Sequence, residues 1–299
     1  MRLGPNCSSV FYFSLLLFFS CAKQKEKPDL NNQEIKENIV DQSAKTQDRS
    51  INNYWDNYNF SDTEAIKNRA VSEQALVDFI ALFPNADKEQ VSKSIKAMLE
   101  KASVNREVFD FFKDQYEKYL YNANSPLRND VYYVPVLEYL VSTPHLNDTE
   151  KIRYKMLLEL VDKNMPGSVA TNFEFVDVSG TNQSLHKVKG LNKLLIFYDP
   201  ECSHCAQTIQ EMKQDSRIST LVDNGKLQVI AICPVGELNV WQAYQKNIPN
   251  KWINGFDKKG DVTRKGLYDI KAFPTIFLID GNNKVVLKDV DLVQVLNKL

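Results

Sequence analysis

The sequence has almost no net charge, since 37 Lys and Arg residues nearly balance 38 Asp and Glu residues among its 299 positions. A chain without an excess of basic residues has no global positive field to attract a polyanion, which argues against nucleic acid as a partner. Glycine is also scarce, with 10 residues, and no Gly-rich strand–turn–helix segment is present. Because such segments cradle the phosphates of nucleotides and flavins, we expect no bound cofactor of that kind.

Cysteine is rare, and its five residues include only one close pair, Cys202 and Cys205. One pair is too few for the disulfide scaffold of a small secreted protein. Zinc would need two further ligands at workable spacing, but His145 and His186 lie outside the motif. We therefore expect the pair to carry chemistry by itself. Cys233, within an apolar β-rich run, is expected to be a small buried residue.

The N-terminal apolar run, residues 10–19, is shorter than a comfortable membrane span. After its short positive start it is typical of a secretory signal peptide, which we predict over residues 1–20. The run ends at Ser20-Cys21, which resembles the processing site of bacterial lipoproteins, where the cysteine after the cut receives lipid. The resemblance implies lipidation of Cys21 and a protein anchored to a membrane of the cell envelope, facing the periplasm. An uncleaved anchor with a buried Cys21 is the alternative.

The next two segments differ in their patterning. Residues 23–53 are rich in Lys, Gln, Asn and Glu, and we assign residues 21–60 to the lipidated cysteine and a flexible tether. Apolar residues then recur at helical spacing, which predicts an all-α domain of unknown function over residues 61–165. Its aromatic residues could line a ligand groove, but we interpret them as the core of a helical bundle. These residues are Phe109, Phe111, Phe112, Tyr116, Tyr119 and Tyr121.

Beyond residue 166 the hydrophobic pattern changes to that of strands and short helices. Their order, βαβ followed by a β-hairpin and a helix, predicts an α/β domain over residues 166–299 with a central mixed sheet flanked by helices. The predicted strands cover residues 173–178, 194–198, 227–232, 275–279 and 284–287, and the predicted helices cover residues 206–213, a segment around Trp241, and residues 290–299.

The most informative motif is Cys-Ser-His-Cys at residues 202–205, between an apolar strand and a helical pattern. Two thiols at the junction of a strand and a helix are typical of a redox site. The first helical turn has unpaired backbone N–H groups and the positive end of the helix dipole, so a sulfur placed there ionises easily. The motif therefore predicts a nucleophilic thiol at Cys202.

This motif, the order of elements and the later Phe273-Pro274-Thr275 segment resemble a thioredoxin fold of the TlpA/ResA type, whose members are extracytoplasmic thiol–disulfide oxidoreductases. With its lipoprotein signal and helical N-terminal domain, the chain further resembles Bacteroidetes members of that group. The resemblance implies a cis peptide bond before Pro274, which packs beside the cysteine pair. The backbone N–H and C=O of Phe273 would then be free to pair with an extended substrate chain.

Two positions depart from cytoplasmic thioredoxins. Those proteins keep a buried carboxylate six residues before the first cysteine, where this chain has Ile196. Proton transfer for the second cysteine must then fall to another group, with Glu201 and Asp199 as candidates. His204 precedes the second cysteine, as a histidine does in oxidising and isomerising relatives, and we expect it to stabilise the Cys202 thiolate.

We predict an enzyme that reduces disulfides in exported, cysteine-containing proteins. Cys202 attacks the substrate disulfide, and Cys205 resolves the mixed disulfide. A membrane or periplasmic electron donor then restores the dithiol, and no cofactor beyond the pair is needed. Two alternatives remain: the same pair acting as a disulfide oxidase or isomerase, and a non-enzymatic envelope binding module whose redox state tunes docking. Peroxide reduction is disfavoured because Asp199 stands where a Thr or Ser would help to position the peroxide.

Overall fold

The computed structural model describes residues 50–188 and 191–299. The predicted signal peptide, the lipidation of Cys21 and the predicted tether up to residue 49 lie outside these residues. Within the described ranges, no helix is both long and apolar enough to cross a membrane.

The first part of the described chain is helical, as its apolar spacing predicted. Asp87, Asn105, Asn129 and Asn147 each accept a backbone N–H from the first turn of the following helix. These caps satisfy donors that have no partner inside the helix, so they define where each helix begins. The helices are α1 (Thr63–Lys67), α2 (Ser72–Ala81), α3 (Lys88–Ala102), α4 (Arg106–Tyr116), α5 (Asp130–Ser142) and α6 (Asp148–Val161), with a π-helical turn, Glu117–Tyr121, after α4.

The predicted tether is wrong for residues 51–60, which pack into the helical core. Trp55 is 5% exposed, and its ring centroid lies 5.5 Å from those of Phe79 and Phe112. Ile51 and Phe60 are buried in the same core. The few apolar residues of this polar segment therefore pack against the helices. A few large side chains bury enough apolar area to hold a short segment against a bundle.

The second part of the chain forms the expected mixed sheet flanked by helices. Its spatial strand order is β2-β1-β5-β4-β3-β6-β7. The strands are β1 (Glu174–Asp177), β2 (Asn182–Ser184), β3 (Asn192–Phe197), β4 (Leu227–Cys233), β5 (Ile253–Phe256), β6 (Thr275–Ile279) and β7 (Val285–Lys288). The helices are α7 (Ser203–Gln214), α8 (Ser216–Asp223), α9 (Leu238–Tyr244), α10 (Asp261–Arg264) and α11 (Leu292–Leu296).

The strand directions place several loops at one edge of the sheet. Strands β3, β4 and β5 are parallel, so their carboxyl ends lie together. Strand β6 is antiparallel to β3, and the pairing of Phe197 with Thr275 places the start of β6 beside the end of β3. The residues that follow β3 and those that precede β6, although distant in sequence, therefore meet at this edge.

The helical core and the sheet are distinct but contiguous. The core of the helical part ends at Val161, and the buried residues of the sheet begin at Ala170. Along β3 the side chains alternate, with Leu194 and Ile196 in the core on one face and Leu195 in the core on the other. All described residues belong to one compact unit. The helices give way to the strands at residues 161–166. That residues 61–165 and 166–299 are separate domains stays a prediction.

Candidate active site

The two thiols lie at the junction between β3 and α7. Cys202 is the N-cap residue of α7, with extended backbone angles, and its Sγ accepts the backbone N–H of Cys205 at 3.1 Å. Both thiols are free. Because the N–H groups of the first turn point toward the cap, the fold holds the Cys202 sulfur where negative charge is favoured.

The environments of the two thiols differ strongly. Cys202 is partly exposed, whereas Cys205 is fully buried under the sheet-side core. Burial raises the pKa of the Cys205 thiol well above its ordinary value, and the hydrogen bond and charge of the adjacent Cys202 sulfur raise it further. Only the thiolate is nucleophilic, so the resting pair presents one accessible sulfur and one protonated, shielded sulfur.

The loop before β6 completes the site. The peptide bond between Phe273 and Pro274 is cis, as predicted. The Sγ of Cys202 lies 3.6 Å from the carbonyl oxygen of Phe273, across 71 residues of sequence. The antiparallel pairing of β3 with β6 explains this approach, because it carries the residues before Thr275 back to the end of β3. The carbonyl of Phe273 is thus a polar group of this loop in contact with the thiol, and Pro274 beside it has no backbone N–H to offer.

His204 and Glu201 face solvent. Both residues are exposed, and neither side chain makes a hydrogen bond within the described part of the chain. Asp199, the other candidate for proton transfer, is partly buried. Its backbone hydrogen bond lowers the pKa of the Cys205 thiol, whereas its charge raises the pKa of both Cys205 and Cys233. The roles of His204 and Glu201 stay predictions.

A polar network that the sequence did not reveal lies behind the pair. The Oδ1 of Asn254 accepts both the hydroxyl of Tyr198 at 2.8 Å and the indole N–H of Trp241 at 3.1 Å. The ring of Tyr244 lies 5.6 Å from that of Tyr198, and the charges of Cys205 and Cys202 add to burial in raising the pKa of Tyr244. Tyr198, Trp241 and Cys205 thus belong to one core cluster, against which Tyr244 and Cys202 also pack.

Ile196 is fully buried in β3 and carries no charge. The position where cytoplasmic thioredoxins keep a carboxylate is thus part of an apolar core. The spacing of Trp241 and Tyr244 on one helix was the only sequence signal that could have located the aromatic groups nearby. Asn254 gave no signal, because a polar residue in a short segment is typical of a loop.

The third thiol lies near the same edge of the sheet but is enclosed. Cys233 ends β4 at 1% exposure, and its Sγ donates a hydrogen bond to the carbonyl oxygen of Val235 at 3.0 Å. Burial raises the pKa of Cys233 to about 12, with a further contribution from the charge of Asp199. Within the described ranges, no group of three or more His, Cys, Asp or Glu side chains is placed to hold a metal ion beside these thiols.

Alkylation should therefore be selective for one thiol. At pH 8, iodoacetamide is expected to modify Cys202 in the folded, reduced protein and to leave Cys205 and Cys233 unmodified. Iodoacetamide reacts with the thiolate, and the ionised fraction of a thiol falls about tenfold for each unit by which its pKa exceeds the pH. Modification of Cys233 should rise with pH. Mass spectrometry of tryptic peptides after timed quenching measures the three rates. Rapid labelling of Cys233 at pH 8 would contradict the buried environment described here, and labelling in urea provides the control for intrinsic reactivity.

Comparison with known proteins covers both parts of the chain. A family model described as "Domain of unknown function (DUF5106)" matches residues 22–164. Among solved structures, a thioredoxin-like protein from Bacteroides caccae is 38% identical, with a TM-score of 0.80 over 83% of this chain and 89% of that one. A conserved Bacteroides fragilis protein of unknown function is 36% identical over 44% of this chain and 97% of that one, with a TM-score of 0.44. No curated protein matches the chain.

The match to the Bacteroides caccae protein extends beyond the sheet into the helical part, since it covers 83% of this chain. Identity and coverage of that order are found between members of one family with a shared architecture. The chain therefore belongs to the thioredoxin-like proteins, in a form that carries a helical N-terminal part.

Proposed function

We propose that this protein is a thiol–disulfide oxidoreductase that reduces disulfides in exported proteins through Cys202 and Cys205. The observation that carries the proposal is the asymmetry of the pair: the Cys202 sulfur is accessible and accepts an N–H at the helix start, whereas Cys205 is buried one turn further on. A dithiol that exchanges disulfides needs one sulfur that attacks and one that is kept in reserve.

The reaction follows from that asymmetry. The Cys202 thiolate attacks one sulfur of the substrate disulfide, forming a mixed disulfide and releasing the other substrate sulfur as a thiolate, which takes up a proton. Cys205 then loses its proton and attacks the Cys202 sulfur. The Cys202–Cys205 disulfide forms, the second substrate thiol leaves, and two electrons have passed to the substrate.

Substrate docking is assigned to the loop beside the pair. The carbonyl of Phe273 lies next to the Cys202 sulfur, so an extended substrate chain that pairs with this backbone would bring its disulfide to the nucleophile. Pro274 shapes the loop and takes no part in the exchange of bonds. Asp199 is partly buried, unlike the exposed Glu201, and in this proposal it accepts the proton of Cys205 in the second step.

The location belongs to the same proposal. A lipidated Cys21 would hold the protein on a membrane of the cell envelope with the thiols in the periplasm. A membrane or periplasmic electron donor would then have to return two electrons to the Cys202–Cys205 disulfide after each turnover, because that compartment is kept oxidising. Mass spectrometry of the N-terminal peptide from purified membranes would detect the lipid on Cys21. If it found residues 1–20 still attached and Cys21 unmodified, it would reject the lipid anchor in favour of the uncleaved anchor.

The direction of the reaction is tested by the reduction potential of the pair, measured by equilibration of residues 22–299 with glutathione buffers. We expect a value of about −270 mV or lower, as for thioredoxin, since His204 is exposed and its side chain makes no hydrogen bond to residues 50–188 or 191–299 that would stabilise the reduced form. A value of roughly −120 to −180 mV would instead identify an oxidase or isomerase and would show that His204 dominates the potential.

The double variant Cys202→Ser, Cys205→Ser distinguishes a catalytic role of the pair from the non-enzymatic alternative. The wild-type protein is expected to reduce the disulfides of insulin in the presence of dithiothreitol, and the double variant is expected to match the uncatalysed rate. If reduction survives in the double variant, the pair does not carry the activity, and the protein would have to be regarded as a binding module.

A further inference from the structure

A buried cluster of charged side chains lies where the helical part meets the segment before Pro274. The Nζ of Lys271 lies 3.0 Å from a carboxylate oxygen of Asp130, 2.9 Å from one of Asp269 and 3.1 Å from one of Asp289. The side chains of these four residues are at most 5% exposed. One ammonium group thus holds three carboxylates from three different segments of the chain.

Two further cations balance the cluster. Lys288, at the end of β7, lies 2.9 Å from Asp130 and also donates to the carbonyl oxygens of Val161 and Lys163, at the end of the helical part. Arg128 lies 3.0 Å from Asp289. Three cations therefore meet three carboxylates, which satisfies the condition that buried charges must be paired.

Aromatic contacts extend the cluster into the π-helical turn. The Nζ of Lys271 lies 4.8 Å from the ring centroid of Tyr121, and the hydroxyl of Tyr121 donates to Asp269 at 3.3 Å. Burial alone would lower the pKa of Lys271, but the attraction of Asp130, Asp289 and Asp269 outweighs it, and the pKa of Lys271 lies above its ordinary value. Lys271 is therefore charged, immobile and fixed by residues of both parts.

The position of Lys271 in the chain connects this cluster to the active site. We name residues 269–274 the proline loop. Two residues after Lys271 comes Phe273, whose carbonyl oxygen lies 3.6 Å from the Cys202 sulfur. Two residues span only about 7 Å even when extended, so the position of Lys271 restricts where the backbone of Phe273 can lie. A shift of the Lys271 anchor would therefore displace the Phe273 backbone.

We propose that the helical part positions the proline loop for substrate docking, with Asp130 of α5 as the positioning residue that holds Lys271. This inference rests on the proposed function and deepens it by giving the helical part a role in catalysis of disulfide exchange. Buried charges tolerate few arrangements, so a cluster in which cations and carboxylates balance selects one position of the loop among several that apolar packing would allow.

Two classes of substrate should respond differently to a displaced proline loop. A polypeptide disulfide needs the Phe273 backbone to align it with Cys202, whereas a small disulfide such as hydroxyethyl disulfide can reach the sulfur without pairing with the loop. The variant Asp130→Asn keeps the size of the side chain and removes its charge, leaving Lys271 and Lys288 without one carboxylate partner. We expect KM for a peptide disulfide to rise about tenfold, with a smaller change in kcat.

The matched control is Glu138→Gln, which removes a carboxylate from the same helix in an exposed pair with Lys96. The control is expected to leave KM and kcat unchanged for both substrates. Asp130→Asn is expected to change neither the rate with hydroxyethyl disulfide nor the reduction potential of the Cys202–Cys205 pair. The conservative variant Asp130→Glu, which keeps the charge, should restore part of the peptide KM. An equal loss with both substrates, or no loss with either, would overturn the proposal.

If Asp130→Asn does not fold, Arg128→Met decides the question, because Arg128 is partly exposed and its removal leaves Asp289 paired with Lys271. A rise of about threefold in the peptide KM alone supports the proposal, and an unchanged KM overturns it. Failure of the proposed function gives a different result: the wild-type protein would then reduce neither the peptide nor hydroxyethyl disulfide.

Discussion

Replacing Cys205 by serine is expected to stop turnover and to accumulate a covalent complex between Cys202 and the substrate. Among the described residues the third thiol, Cys233, is buried and donates to the carbonyl oxygen of Val235, so it is not placed to resolve the mixed disulfide in the place of Cys205. Steady-state reduction of a peptide disulfide should fall by about 10³-fold or more, because the second step is removed while the first remains. Non-reducing electrophoresis and intact-protein mass spectrometry measure the trapped complex.

The control for this experiment is Cys233→Ser, a matched serine substitution at the third thiol. Cys233 is buried and its Sγ donates to Val235, away from the sulfur exchange, so the variant is expected to keep full turnover and to trap nothing. Cys202→Ser should neither turn over nor trap substrate. A stable complex formed through Cys205 in the Cys202→Ser variant would reverse the assignment of the two roles.

Replacing Phe112 by alanine is expected to lower the free energy of unfolding by about 3–5 kcal/mol, the usual cost of emptying a large aromatic site. Phe112 is fully buried, and its ring lies 5.5 Å from Trp55 and 5.6 Å from Tyr58. Little can collapse into such a cavity, because the neighbouring rings hold one another in place. Urea denaturation followed by far-ultraviolet circular dichroism measures the change.

The same variant tests whether the two parts of the chain unfold together. The paired charges of Asp130, Lys271 and Lys288 join the helical part to the sheet, so we expect the buried thiol of Cys233 to become reactive in the same urea transition. Continued protection of Cys233 after the helices have unfolded would show that residues 61–165 and 166–299 are separate folding units. The exposed residue Val104, replaced by alanine, is the control and should change stability by about 0.5 kcal/mol or less.

Local sequence patterns were sufficient to predict many individual elements. Strand β6 covers residues 275–279, the predicted range, and Asp87 caps α3 by accepting a backbone N–H of its first turn. Such features depend on residues a few positions apart, namely alternation along a strand and a side chain that reaches the next turn of a helix. They are therefore readable without any knowledge of distant contacts.

Strand β5 was missed for a physical reason. Asn254 and Gly255 are both disfavoured in strands, so the segment has the composition of a loop. Distant residues nevertheless require both. Asn254 accepts hydrogen bonds from Tyr198 and Trp241, and a Cβ at Gly255 would lie only 2.4 Å from the ring of Phe175. Residues 51–60 were misassigned for a related reason, since the surfaces that bury them lie on helices further along the chain.

The sequence by itself determined the chemistry of the site, because the spacing of Cys202 and Cys205 at a strand–helix junction is a local property that places one sulfur on the first helical turn. Tertiary structure decided how unequal the two thiols are and which groups surround them. The burial of Cys205, the approach of the Phe273 carbonyl and the anchoring of Lys271 by Asp130 all join segments far apart in sequence. Such contacts depend on strand pairing and on charge balance in the interior, which only the folded chain as a whole establishes.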